Sequence, residues 1–279
     1  MPPAISTSVV VAVSLELLLI LIGATLVWRR FLSAEARAAR QTPPPLPAWE
    51  IRLSDFLMFA FVIVASSVVV SAVAGVAMGR FELATDTKLI LSSAAFQLGL
   101  LLGSAVLPLL LGHSPLRLQL DRAAWRSGLE TFLMALPIVT VVNLAWVWLL
   151  TKVGAPVENQ DLVRLFRETD AVGLVVLLTF LAVVVAPLAE ELLFRATLFR
   201  YLRTRIARPL ALLLPGTIFA ALHVNWHTLD GLASFAPLVT LAVVFSLAYE
   251  RSGLIATSVI AHALFNANTL LLLLAGVTA

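Results

Sequence analysis

Three short motifs in the last third of the chain place ionisable and amide side chains within long apolar runs. In chain order they are Glu190-Glu191-x-x-x-Arg195, Phe219-x-x-x-His223 and His262-x-x-x-Asn266. Ionisable groups at membrane depth are energetically costly, so they are functional candidates by default. Carboxylates and imidazoles act in general acid–base catalysis, and a carboxylate in a medium of low dielectric suits the role of a base. Together the motifs indicate acid–base chemistry inside a membrane.

The spacing within each motif decides which side chains share a helix face. Glu191 and Arg195 are four residues apart, so on a helix they lie on one face and can form an ion pair. Glu190 points about a quarter-turn away and is free to face a different partner. His262 and Asn266 also share one face. Each motif alone has a structural explanation as well: a charged helix end for the first, and a packed, hydrogen-bonded histidine for the second.

The depths of the candidate residues follow from the helical rise of about 1.5 Å per residue. Counted from the basic cluster near Arg205, Glu190 lies about 22 Å from the inner end of its helix. Counted from Pro209, His223 lies about 21 Å deep, and counted from Gly253, His262 and Asn266 lie about 13 and 20 Å deep. We therefore expect four polar side chains from three helices to converge at one level, in a site that opens toward the cytoplasm.

The composition of the chain is that of a membrane protein. Of its 279 residues 61% are hydrophobic and 13% are charged, whereas soluble domains carry about 25% charged residues. The absence of cysteine excludes disulfides, thiolate metal sites and a cysteine nucleophile. The net charge of +3 is better explained by topology than by nucleic-acid binding, because membrane proteins retain Lys and Arg on the cytoplasmic side. We expect the lipid bilayer, and no nucleic acid, among its partners.

Eight apolar runs follow one another along the chain, and a helix of about 20 apolar residues crosses a bilayer. The runs are Ser8–Trp28, Asp55–Met78, Leu89–Leu111, Leu129–Leu150, Ala171–Leu193, Pro209–Val224, Ala233–Tyr249 and Gly253–Leu274. With this division, 14 basic residues fall in segments on one side and five in segments on the other. We therefore predict an all-α, polytopic membrane helical bundle of about eight transmembrane helices. Because the basic side is the inner one, both termini are expected outside. The membrane is expected to be a bacterial plasma membrane.

The order of the three motifs resembles that of the CAAX protease and bacteriocin-processing family, also called the Abi family. The resemblance covers roughly residues 170 to 275 and includes each motif in full. The eukaryotic member of the family removes the last three residues of prenylated CAAX proteins. The resemblance therefore implies an intramembrane endopeptidase of the CAAX type that hydrolyses a peptide bond of a peptide or protein substrate in or at the membrane.

The resemblance also implies a role for each motif residue. Glu190 and His223 would position and deprotonate a water molecule, and His262 and Asn266 would stabilise the oxyanion. The structural ion pair of the site would be formed by Glu191 and Arg195. We accordingly predict that residues 151–279 form the catalytic core, while residues 1–150 form transmembrane helices with no assigned chemistry.

Two other functions are compatible with the sequence. A zinc-dependent intramembrane metalloprotease is the nearest one, since Glu190, His223 and His262 are of the usual ligand types. The sequence has no HExxH motif, and Asn266 is a poor zinc ligand, so we predict that no metal or other cofactor is required. A non-catalytic membrane immunity or scaffold protein of the same fold is the other alternative, although the complete motifs argue against it.

Overall fold

The structure, a computed structural model, describes residues 6–34, 46–106, 118–154, 171–224, 226 and 230–277. These residues form a bundle of helices without a β-strand, which confirms the all-α polytopic fold. The principal helices, numbered in chain order, are α1 Thr7–Leu32, α2 Leu53–Met78, α3 Thr85–Ala105, α4 Arg122–Lys152, α5 Val172–Leu202, α6 Arg208–His223, α7 Phe235–Ser252 and α8 Ile255–Leu274. Each of them falls on one of the predicted apolar runs.

Among the described residues, seven helices are long and apolar enough to cross a membrane, and α6 is a shorter apolar helix. α6 has 16 residues, so it is about 24 Å long, less than the roughly 30 Å of a hydrocarbon core. It begins with Pro209 in its first turn, where the missing N–H would have no partner within the helix. It ends where Val224 takes an extended backbone. The sixth predicted span is therefore a short helix, and its last residue is the candidate His223.

The helices α4 and α5 extend beyond the predicted apolar runs, and each has 31 residues. α4 begins at Arg122 because the Asp121 carboxylate caps it, accepting a hydrogen bond of 2.8 Å from the N–H of Ala124. α5 continues through a basic end to Leu202. An apolar run marks only the part of a helix that suits lipid, whereas capping and polar terminal turns extend the helix beyond it.

The helix α5 is not a regular α-helix. Two π-helical segments, Leu181–Val185 and Leu192–Phe199, flank the α-helical stretch Ala186–Glu191. In the second segment the Thr197 hydroxyl donates a hydrogen bond of 2.8 Å to the carbonyl of Leu192. π-helical turns are rare within α-helices, and those that do occur often lie at functional sites. The two adjacent glutamates are thus held between widened turns, which the apolar pattern did not predict.

Helices from the N-terminal half of the chain support α5 on one side. α3 packs against the stretch Ala186–Glu191, and α2 packs along α3. The contact between α2 and α3 is close, because a Cβ atom on Gly99 would collide with the backbone of Ser67. Small residues commonly allow such close approach between membrane helices.

Helices α4, α7 and α8 support the site on the other side. They share an apolar cluster that includes Phe132, Phe245 and Ala261, one residue from each helix. The turn between α7 and α8 is made by Gly253, whose φ of 71° is the left-handed conformation that favours glycine. α4, from the half of the chain to which the sequence assigns no chemistry, thus packs directly on α8, the helix that carries His262 and Asn266. The division at residues 150 and 151 stays a prediction.

A charged cluster holds the end of the bundle at which α5 finishes. Glu250 of α7 is 2% exposed, and its carboxylate lies 3.0 Å from Arg203 and 2.7 Å from Arg208. Arg205 donates a hydrogen bond of 3.2 Å to the backbone carbonyl of Trp49, in the segment that precedes α2. These contacts fix the end of α5, the start of α6 and the end of α7 relative to one another.

Candidate active site

The Glu190 carboxylate lies between two imidazole rings from different helices. Its Oε1 atom is 3.7 Å from Nε2 of His223, and its Oε2 atom is 3.8 Å from Nε2 of His262. Glu190 is on α5, His223 ends α6 and His262 is in α8. Both distances exceed that of a direct hydrogen bond. The structure thus brings three of the four predicted catalytic residues together, and each ring turns its Nε2 atom toward the same carboxylate.

The other nitrogen of each ring has a partner that defines the tautomer. Nδ1 of His223 is 2.7 Å from the carbonyl oxygen of Phe219, and Nδ1 of His262 is 2.9 Å from Oε1 of Glu191. A carbonyl and a carboxylate only accept hydrogen bonds, so each Nδ1 must carry the hydrogen. It follows that Nε2 is the atom of each ring that is available to a water molecule or a substrate.

The predicted contact between Glu191 and Arg195 is present and buried. Nη1 of Arg195 lies 2.9 Å from Oε1 of Glu191, and the two side chains are 1% and 0% exposed. This contact is an ion pair without a hydrogen bond, because among the described residues neither Nη atom of Arg195 has a hydrogen-bond partner. Electrostatic attraction therefore holds the two side chains together. The Arg195 guanidinium also lies 5.1 Å from the ring centre of Phe219 and 5.6 Å from that of Phe245, within cation–π range.

Glu191 joins this ion pair to the candidate catalytic histidine. One atom, Oε1 of Glu191, contacts both Arg195 and Nδ1 of His262. The ion pair therefore joins two turns of α5 and also orients the imidazole of His262. The sequence did not predict this contact, because 71 positions separate Glu191 from His262.

Asn266 lies against α5 through a different contact. Its Nδ2 atom donates a hydrogen bond of 2.8 Å to the carbonyl of Ala182, which belongs to the π-helical segment Leu181–Val185. The amide has two hydrogens, so one remains for another acceptor. The structure thus places Asn266 of α8 against the backbone of α5, the helix that carries Glu190. Its role as an oxyanion donor stays a prediction.

Aromatic rings surround the imidazoles. The ring centre of Phe219 is 4.3 Å from that of His223, and the ring centre of Phe245 is 5.2 Å from that of His262. Phe194 meets Phe219 edge-on at 5.2 Å. These rings keep the charged groups in an apolar setting, where electrostatic interactions are stronger than in water. Only Phe219 was singled out from the sequence, since Phe194 and Phe245 look like ordinary residues of apolar runs.

Exposure within the site decreases from α6 to α8. The side chain of His223 is 38% exposed, that of Glu190 13% and that of His262 4%. The neighbours Leu222 and Trp226 are 72% and 60% exposed. The most exposed part of the site is therefore at the end of α6. The predicted opening toward the cytoplasm stays a prediction.

The side chains of the site include the usual types of zinc ligand. In the part of the chain that the structure describes, no group of three or more His, Cys, Asp or Glu residues is arranged to hold a metal ion. His227, a further histidine close to His223 in the sequence, lies outside the described residues. The prediction that the reaction needs no metal is therefore a matter for experiment.

Residues 172–268 match the family model described as type II CAAX prenyl endopeptidase Rce1-like. The matched segment begins with α5, ends within α8 and includes all three motifs, which confirms the family resemblance. At the level of the family, the match and the spanning helices support a CAAX-type intramembrane protease, embedded in a membrane and acting on a peptide substrate. No curated protein and no solved structure gave a significant match to the chain.

Proposed function

We propose that the protein is an intramembrane endopeptidase in which Glu190 and His223 activate a water molecule for attack on a peptide bond. The observation that carries this proposal is the position of the Glu190 carboxylate, 3.7 and 3.8 Å from two Nε2 atoms. An oxygen atom beside the carboxylate could contact both Glu190 and His223 at hydrogen-bond distance. Water held in this way would transfer a proton to the carboxylate as its oxygen attacks the carbonyl carbon.

The hydrogen-bond partners of the two histidines suit them to different tasks. Nδ1 of His223 is committed to the Phe219 carbonyl, so its Nε2 atom is free to orient the water or exchange a proton with it. Nδ1 of His262 is committed to Glu191. Donation from His262 to an oxyanion therefore requires a second proton on Nε2, and the buried carboxylate of Glu191 would stabilise the resulting cation.

The oxyanion would be stabilised by His262 together with Asn266. Donors directed at developing negative charge in a dry site each contribute about 3–4 kcal/mol to transition-state stabilisation. The Asn266 amide is held through one hydrogen by the carbonyl of Ala182, so its second hydrogen would have a defined direction. On collapse of the tetrahedral intermediate, the proton held by Glu190 would pass to the leaving amine.

The proposed peptidase activity can be tested on its natural substrates. We expect membranes from cells with the active protein to contain shortened protein fragments that are missing when the chain carries Glu190→Gln. Quantitative mass spectrometry of new peptide termini would identify them. Identical sets of termini in the two membranes, at equal levels of the protein, would favour the non-catalytic scaffold.

Zinc-dependent hydrolysis is the second candidate, and one observation favours it. Metal-bound histidines usually donate their other N–H to a carboxylate or a carbonyl, as His262 and His223 do here. Zinc proteases, however, commonly take two closely spaced histidines from one helix, whereas these two are on α8 and α6.

We expect the purified protein to keep its activity after exhaustive chelation, because a glutamate and a histidine can activate water without a metal. The measurement is cleavage of a membrane-delivered peptide before and after chelator treatment, with elemental analysis of the same sample. Stoichiometric zinc is not expected. Activity that is lost to the chelator and restored by zinc alone would identify a metalloprotease, with Glu190 as a ligand.

A further inference from the structure

A polar contact joins α1 to α8 at membrane depth. Nδ2 of Asn268 donates a hydrogen bond of 2.9 Å to Oε2 of Glu16, and both side chains are partly buried. Glu16 is the only acidic residue in the sequence of α1, and it lies about 14 Å from the start of that helix. A carboxylate at this depth is costly and is therefore a functional candidate. Neither residue belongs to the three motifs, and α1 lies outside the segment that matches the family model.

The contact is part of an antiparallel alignment of the two helices. Near the start of α1, the Ser8 hydroxyl donates a hydrogen bond of 3.2 Å to the carbonyl of Ala275, the residue after α8. Further along α1, Ile20 packs on the apolar cluster that Leu264 of α8 also contacts. Residue numbers thus fall along α8 as they rise along α1, and the Glu16 contact lies between the other two. It fixes the two helices in one register.

The same stretch of α8 contacts α5 through its opposite face. Asn266 donates to the Ala182 carbonyl of α5, whereas Asn268 donates to Glu16 of α1. Residues two positions apart on an α-helix are about 200° apart around its axis and about 3 Å apart along it. α8 is therefore held between α5 and α1 at the level of the candidate oxyanion residue. A rotation or shift of α8 at Asn268 moves Asn266 with it, because both residues belong to one helical turn.

The helix α1 does not depend on Glu16 for its attachment to the bundle. It packs mainly on α4. The two helices approach so closely that a Cβ atom on Gly23 would collide with the backbone of Leu133. Close packing at small residues is a usual means of association between membrane helices. What Glu16 adds to this packing is a fixed acceptor for a side chain of α8.

We propose that Glu16 is a positioning residue of the active site, which through Asn268 holds α8 at the rotation and depth that direct the Asn266 amide at the oxyanion. The inference rests on the proposed peptidase function, in which Asn266 is a donor to that oxyanion. Glu16 acts through Asn268 and the helix, and it contacts no reacting atom. Its effect on the rate is large for a distant residue, because a misplacement of about 1 Å at a catalytic group is costly.

The test compares kcat and KM of purified, full-length variants in a bilayer, with a membrane-delivered peptide as substrate. Glu16→Leu removes the acceptor and keeps a side chain of similar size. We expect it to lower kcat by about tenfold, which is part of the contribution of one oxyanion donor, and to leave KM unchanged. Asn268→Leu should have the same effect, and the two changes together should be no worse than either alone. Thermal unfolding should show no loss of stability, because leucine suits a membrane helix better than a carboxylate does.

Two variants serve as controls. Glu16→Gln keeps an oxygen that accepts from Asn268, so its kcat should stay within about threefold of the wild type. Ser8→Ala is the matched control, since it removes the other polar contact between α1 and the end of α8. That contact lies about 14 Å along α8 from Asn266, so kcat should be unchanged.

The Asn266→Ala background separates positioning from a general effect on the fold. If Glu16 acts through Asn266, Glu16→Leu should lower kcat by less than about twofold in this background. A contact that only stabilises the bundle would lower kcat by the same factor in both backgrounds.

Two results would overturn the proposal. The first is an unchanged kcat in Glu16→Leu and Asn268→Leu, and the second is a loss of the same size with and without Asn266. If Glu16→Leu fails to fold, Asn268→Leu decides the question from the other side of the contact.

A wild-type protein that cleaves no peptide would instead contradict the proposed peptidase function. The side-chain amide NMR signal of Asn266, assigned by its loss in Asn266→Ala, then decides the inference without activity. A shift of this signal in Glu16→Leu, but not in Ser8→Ala, supports the positioning of Asn266 by Glu16, and an unchanged signal overturns it.

Discussion

Replacement of Glu190 by glutamine is expected to reduce peptide hydrolysis by at least about 100-fold without unfolding the protein. Glutamine has nearly the same shape as glutamate but cannot accept a proton from water. Few native contacts should be lost, because the carboxylate is more than 3.5 Å from both imidazoles. The measurement is turnover of a membrane-delivered peptide by purified protein in a bilayer, with thermal unfolding followed on the same preparation.

The matched control is Glu82→Gln, which makes the same change at an exposed position between α2 and α3. This control should leave both turnover and unfolding temperature unchanged. Full activity of a well-folded Glu190→Gln protein would remove Glu190 from the mechanism proposed here.

Replacement of the adjacent Glu191 by glutamine is expected to act on stability instead. Arg195 is 1% exposed and would lose its counter-ion. Leaving one member of a buried ion pair uncompensated typically costs about 3–5 kcal/mol. Chemical unfolding in a constant lipid and detergent mixture should show this loss in the free energy of unfolding, whereas Glu190→Gln should be close to wild type.

A double variant separates the charge effect from the orientation of the histidine. Glu191→Gln combined with Arg195→Gln removes both buried charges, so most of the lost stability should return. Activity should remain below that of the wild type, because Nδ1 of His262 no longer faces an anion. A Glu191→Gln protein as stable as the wild type would contradict the buried pair described here.

The two adjacent glutamates illustrate how far local spacing determines a site. A separation of four residues was sufficient to predict that Glu191 and Arg195 meet, because the geometry of one helix turn is the same in every protein. The same reasoning predicted that Glu190 points elsewhere, and in the structure it faces His223 and His262. Their catalytic roles are still a proposal.

The partners that cross between helices could not be obtained in this way. The contact of His262 with Glu191, and that of Asn266 with the Ala182 carbonyl, join α8 to α5. Which residues of two distant helices touch depends on their rotation and relative depth, and neither is encoded in the spacing within one helix. The π-helical segments of α5 were missed for a related reason, since they change the helix geometry without changing the apolar pattern.

By itself, the sequence determined that the chain is an all-α membrane protein and where its helices lie. It did so because lipid requires long apolar runs with their backbone hydrogen bonds satisfied internally. It also determined which polar residues are candidates, since few polar groups occur at membrane depth without a function. Only the tertiary structure decided that α6 is short and that Glu191 orients His262. These features arise from packing between helices, where side chains far apart in the sequence meet.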